Sequence, residues 1–162
     1  MTDSYVNRII QHPKYKMCLD RIAECEKERI FCHHDMVHFL DVARLAWIFN
    51  LQNDIGLEHK LVYGAALLHD VGRYEQYEIG TPHEIASARI APDILQDCGY
   101  LSEEIEQITE AIRQHRNAQI KDELTLRGII YRADKMSRSC FSCKAIEACD
   151  HQEDKKNKEL IY

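Results

Sequence analysis

Apolar residues recur at intervals of three and four over most of this chain, and few windows alternate apolar with polar side chains. A chain so patterned buries stripes of helix rather than faces of sheet, which predicts an all-α fold: one bundle of about six or more helices. Pro13 suits the first turn of a helix running to about Phe31, and a second runs from about Asp35 to Gln52, ending near Asn53, Asp54 and Gly56. A third covers about Glu58 to Asp70. Gly72, Gly80 and Pro82 then break the pattern. A helix from about His83 to Gln96 ends near Gly99, Ser102 with Glu104 and Ile105 opens the next, and the sixth spans about Leu124 to Ser137. Pro92 lies inside the fourth pattern, where its missing donor and ring clash predict a kink or restart. Residues 151–158 are nearly all polar and read as a solvated tail or a frayed helix.

With 45% hydrophobic and 30% charged residues, 162 residues make one domain able to enclose a core, taken as about 31–139 with a cysteine-containing segment, 140–162, after it. The first residues lack the features of a secretory signal, and no apolar run approaches the ~20 residues that span a bilayer, so a cytoplasmic protein without membrane partners is expected. A net charge of -6 argues against binding a nucleic-acid polymer. If the substrate is anionic, positive charge must be concentrated locally.

Several ionisable residues fall on the apolar stripes. His38 stands in line with Val42, Leu45 and Phe49. Leu61, Ala65 and Leu68 lead directly to His69 and Asp70. Ile105, Ile108 and Ile112 lead to His115, and Leu126, Ile130 and Ala133 lead to Asp134 and Lys135. An unpaired inward carboxylate costs on the order of several kcal/mol, so two of them call for a cation. A divalent metal accepts imidazole nitrogen and carboxylate oxygen together, and distant helices can deliver both to one point. The set is His38, His69, Asp70 and Asp134. Taken one at a time, each has a plainer reading as a core residue satisfied by its neighbour, or, for Asp70 near a helix end, as a cap or an arginine's partner.

The spacing His38-x-x-x-Val42, then Ala65-Ala66-Leu67-Leu68-His69-Asp70-Val71-Gly72, then Tyr131-Arg132-Ala133-Asp134-Lys135 resembles the HD-domain superfamily of metal-dependent phosphohydrolases over roughly Phe31 to Ser139. The resemblance implies that the quartet binds one divalent ion, or two, of Fe, Mn, Mg, Co, Ni or Zn. It further implies hydrolysis of phosphate esters or anhydrides, often of nucleotides or dinucleoside polyphosphates, by a metal-activated water that Asp70 helps orient. His83-Glu84-Ile85-Ala86-Ser87 and Ile108-x-x-x-Ile112-x-x-His115 resemble segments whose histidines bind a second metal or face the scissile phosphate. The interval from Asp70 to His83 is short, and Arg116 rather than a second His follows His115, so a phosphate-facing role is expected for both. Arg73 takes the place of a basic phosphate clamp, and Lys135 and Arg138 add local positive field. A small phosphorylated substrate is the expected partner, with a homodimer left open. A non-catalytic metal-stabilised nucleotide sensor and a two-iron oxidative enzyme are the competing readings.

Seven cysteines in an ordinary composition read as reduced thiols. Cys140, Cys143, Cys149 and His151 have enough soft ligands for zinc, but a packed helix with buried thiols is the plainer expectation, and Cys18, Cys25 and Cys32, seven apart, could share one helix face. His33 and His34 precede a capping Asp35 and rim the pocket without assigned chemistry. His12 and His59 are read as surface residues.

Overall fold

The computed structural model describes residues 4–162, and among these there is no strand. Eight α-helices follow in order: α1 Ser4–Gln11, α2 Pro13–Cys25, α3 Met36–Gln52, α4 His59–Leu68, α5 Arg73–Ile79, α6 His83–Asp97, α7 Ser102–Gln114 and α8 Leu126–Met136. Local chemistry sets their ends. The Asp35 carboxylate accepts the His38 amide at 3.1 Å and caps α3, while the Thr125 hydroxyl accepts the Gly128 amide at 3.3 Å and caps α8. Gly80, with φ 79°, ends α5 in the left-handed conformation that glycine adopts without strain.

The core lies where α3, α4, α7 and α8 meet. Phe39, Val42 and Ala46 of α3 pack with Ala65 to Leu68 of α4, Ile108 and Ile112 of α7, and Ile129, Ile130 and Ala133 of α8, all buried. α6 lies against α7 and α5, and α1 and α2 cover α4 and α5 respectively. Each residue that the apolar stripes point inward is thereby carried toward one end of the bundle.

Several expectations are corrected by packing that periodicity does not reveal. The helix from Pro13 ends at Cys25, not near Phe31, and an unanticipated α1 precedes it, burying Val6 and Ile9. Cys18 is therefore buried on α2, Cys25 is exposed at its last residue and Cys32 lies beyond it, so the three share no face. α5 fills the stretch read as broken. α6 runs through Pro92 without restarting, held along its length by α7. Segment 140–157 is a chain of 3-10 turns rather than a packed helix. The polar end is not a free tail either: Asn157 Nδ2 donates to the carbonyls of Lys135 and Arg138 at 2.8 and 2.9 Å. His12 caps α2, its Nδ1 accepting the Lys14 amide, and His59 stacks on Tyr63, so neither is a bare surface side chain. Among the described residues, no helix is long and apolar enough to cross a membrane.

Candidate metal centre

Five helices deliver one cluster. His38 comes from the first turn of α3; His69 and Asp70 lie just past the end of α4; His83 opens α6; His115 closes α7; and Asp134 sits in the last turn of α8. His38 Nε2 is 3.5 Å from Asp134 Oδ1 and 3.7 Å from Asp70 Oδ2, and His69 Nε2 is 3.6 and 3.3 Å from the same two oxygens. The other oxygen of Asp70 faces the other way, 3.2 Å from His83 Nε2 and 3.4 Å from His115 Nε2. Two groups result, His38-His69-Asp70-Asp134 and Asp70-His83-His115, each with its ligand atoms within 4.8 Å of one another, and Asp70 belongs to both.

The far sides of the His69 and His115 rings fix their tautomers. Nδ1 of His69 donates to the Ala66 carbonyl at 2.7 Å and Nδ1 of His115 to the Ile112 carbonyl at 2.6 Å, while Nδ1 of His83 lies between Gln76 Oε1 at 2.6 Å and the Arg73 guanidinium at 2.8 Å. His38 Nδ1 meets the Ser137 hydroxyl at 3.5 Å, which itself donates to the Asp134 carbonyl. With Nδ1 protonated, His69 and His115 turn Nε2 to the centre, where the Nε2 atoms lie only 3.3 Å apart in the pair His38–His69 and 3.2 Å apart in His83–His115. Ring nitrogens brought so close need a proton or a metal ion between them. This is the outer-shell pattern that orients metal-binding imidazoles. Asp70 Oδ1 is buried without a hydrogen-bond partner, an orphan acceptor that a metal would satisfy.

Charge tells the same story. Burial pushes Asp70 and Asp134 up, but the imidazoles around Asp70, and Lys135 and His69 beside Asp134, hold both well below the usual carboxylate range. Burial lowers His69, yet the two carboxylates outweigh it and raise it to about 10, so the cluster seeks positive charge. A divalent ion meets that demand and frees the proton. His83 is lowered to about 3 by burial, reinforced by Arg73, His115 and Arg116, and stays neutral as a ligand must be.

His38, Asp70, His83 and Asp134 of the cluster line a cavity of about 770 Å³. Arg73 lines it with Nη1 against His83, and Lys135 Nζ holds Asp134 Oδ2 at 2.6 Å, leaving Oδ1 to face the imidazoles. Arg138 lines the same cavity one turn further along the chain. His83 and His115, expected to face phosphate, meet each other at the second oxygen of Asp70. The cysteines disappoint the zinc reading: among the described residues, Cys140, Cys143, Cys149 and His151 are not gathered into a ligand group.

Sequence reasoning missed the support. Glu26, buried at 1% exposure, accepts the His34 amide at 2.7 Å and the Tyr77 hydroxyl at 2.7 Å, and binds His34 Nδ1 as well. His34 Nε2 then lies 3.7 Å from Asp70 Oδ2. Gln76 and Ser137, which orient His83 and His38, carry no spacing signal either; only the finished fold brings them close.

Comparison with known proteins gives a consistent result. A family model described as HD domain matches residues 36–139. An uncharacterized protein of Clostridium beijerinckii is 44% identical over 156 residues, 96% of this chain and 98% of that protein. Ribonuclease Y of Clostridium kluyveri is 26% identical over 125 residues, which cover 68% of this chain but only 24% of that much longer enzyme. No solved structure gives a significant match.

Proposed function

This chain belongs to the HD-domain family, and from that premise we propose that it is a metal-dependent phosphohydrolase acting on a small phosphate ester or anhydride, with nucleotides as the substrate class. One observation supports this above the others: four imidazoles and two carboxylates converge beneath an open cavity, with Asp70 offering one oxygen to each half. His38, His69, Asp70 and Asp134 would hold one divalent ion, and His83 and His115 with the other oxygen of Asp70 would hold a second. Such an ion lowers the pKa of a water near neutral pH and offsets charge on phosphoryl oxygens.

The chain's own residues do the rest. Arg73 is positioned to take a non-bridging phosphoryl oxygen by paired N–H donors, since its visible partners, His83 and Tyr77, are neutral. Lys135 steers Asp134 by occupying one of its oxygens. Glu26 fixes the ring of His34 beside Asp70. Ribonuclease Y, by its name, acts on RNA; here the acidic net charge favours a small substrate.

The test is turnover of a panel of phosphate mono- and diesters and anhydrides by the purified chain, supplied in turn with Mn, Fe, Co, Ni, Mg and Zn. The same panel is run with Asp70→Ala, and metal content is measured for both proteins. The expected result is metal-dependent release of phosphate or nucleotide by the native chain, with at least ~100-fold less from the variant, whose metal content also falls. Equal turnover by the two proteins, or tight nucleotide binding without cleavage under every metal, would overturn it.

A further inference from the structure

The cavity carries far more positive charge than one phosphoryl group requires. Although the chain has a net charge of -6, nine lysines and arginines line this cavity against five aspartates, two of which are the metal-facing Asp70 and Asp134. The excess is not spread evenly. Lys135, Arg138, Lys155 and His151 gather on the wall that adjoins Asp134.

The covalent path explains why they meet. Arg138 follows Asp134 by four residues, about 6 Å along a helical path at 1.5 Å per residue. Its guanidinium spends its donors on neutral acceptors: Nε on the Lys135 carbonyl at 3.1 Å, Nη2 on the Lys155 carbonyl at 3.0 Å, and Nη1 beside His151 Nε2 at 3.3 Å. No carboxylate lies within ion-pair distance of Arg138 or Lys155 among the described residues, so neither charge is cancelled by the protein. Asn157, bound to the carbonyls of Lys135 and Arg138, fastens the C-terminal segment so that Lys155 and His151 face the cavity. His151 is held below its ordinary pKa by burial and then by Arg138, with Lys135 and Lys155 adding to the effect against Asp150 alone. A ring nitrogen under that field marks a place suited to an anion.

We propose that Arg138, His151 and Lys155 form a second anion subsite, one helical turn from the metal-facing Asp134, and that the substrate carries a second phosphate group bound there. The inference rests on the reading of the metal centre as the place where the first phosphate sits. It narrows the substrate to small molecules with at least two phosphates, of which a nucleoside diphosphate or longer polyphosphate is the class. The C-terminal segment, which lies beyond the stretch matched by the family model, becomes the element that selects them. The wall it makes and the cavity volume of about 770 Å³ suit a nucleotide rather than a polymer strand.

Binding is measured by titration calorimetry on the full chain with saturating Mn, using α,β-methylene-ADP, its single-phosphonate counterpart and an RNA pentamer. The native chain is expected to prefer the two-phosphorus probe to the single-phosphonate probe at least tenfold. Lys155→Gln, at an exposed residue, and Arg138→Gln should each reduce that preference at least threefold while changing affinity for the single-phosphonate probe less than twofold. Thermal melting, with Asn157→Ala as a control that loosens the segment but keeps its charges, separates charge loss from misfolding. Equal affinity for the two nucleotide probes, an unchanged preference in both charge variants, or tighter binding of the pentamer would overturn the proposal. Failure of the native chain to cleave any phosphate would instead sink the phosphohydrolase reading and leave the binding preference standing.

Discussion

Glu26 stands in the stretch Glu24-Cys25-Glu26-Lys27-Glu28, which reads in sequence as the solvated end of a helix. It is buried because α2 stops at Cys25 and the chain turns back, folding the His34 amide and ring and the Tyr77 hydroxyl onto one carboxylate. Burial alone would raise its pKa, but these donors outweigh burial and hold it at about 2. The folded value lies below the ordinary carboxylate value of ~4.3, so its contribution to stability is complete above that pH and disappears as pH falls toward 2. Glu26→Gln should lose ~1–3 kcal/mol at neutral pH and show a smaller further loss between pH 4.5 and 2.5 than the native chain, read from urea midpoints across that range. A variant with the native midpoint at pH 7 would show that the carboxylate is not a support of the site. The metal-facing residues were legible for the opposite reason: His38, His69, Asp70, His115 and Asp134 sit on or directly after apolar stripes, and that misplacement is a signal. Glu26, Gln76 and Ser137 lie among other polar residues and give none.

At the scale of elements, the turn between α4 and α5 has no slack. Gly72 follows the His69-Asp70 pair by two residues, its amide donates to the Ser87 hydroxyl at 2.8 Å, and a Cβ built on it would stand 2.5 Å from the Ser87 amide nitrogen and 2.7 Å from the backbone carbon of Ala86. Its φ of -91° is ordinary, so glycine is required by the close approach of α6 and not by backbone conformation. Gly72→Ala must push α6 and the turn apart, moving His83 away from Asp70; a loss of ~1–3 kcal/mol is expected, with weaker metal retention in the folded variant, measured by denaturation and by metal analysis. Unchanged stability would show that the turn can give. Periodicity located α3, α4, α6, α7 and α8 within a few residues, because these long helices each bury a continuous stripe. It overlooked α1 and α5, of eight and seven residues, since so short a helix offers one or two turns of pattern and α5 is flanked by glycines. Segment 140–157 escaped for a different reason: its order comes from Arg138 and Asn157 side chains bonding to carbonyls, which no spacing encodes.

At the scale of the molecule, α3, α4, α6, α7 and α8 have no covalent link near the cluster, yet each contributes a ligand, directly or from the residue just past its end. The apolar stripes specify that these helices pack together, whereas the meeting of their polar ends at one point depends on helix lengths and crossing positions set only by the assembled core. Ions held by the two groups would together tie five helices in the folded state and would find no comparable site in the unfolded chain, so binding is linked to folding. At a free metal concentration 100 times Kd the linkage is worth ~2.7 kcal/mol, and for a chain of this size each kcal/mol moves Tm by ~2–4 °C. Mn, Fe or Co should therefore raise the melting temperature of the purified chain by ~5–10 °C relative to the same protein in chelator. His115→Ala should keep part of that shift, because the quartet of His38, His69, Asp70 and Asp134 survives, while Asp70→Ala should lose nearly all of it, because both ligand groups share that residue. If the two variants lost the same fraction, Asp70 would not be the bridge, and if no divalent ion moved the melting temperature of the native chain, the reading of the cluster as a metal centre would fail.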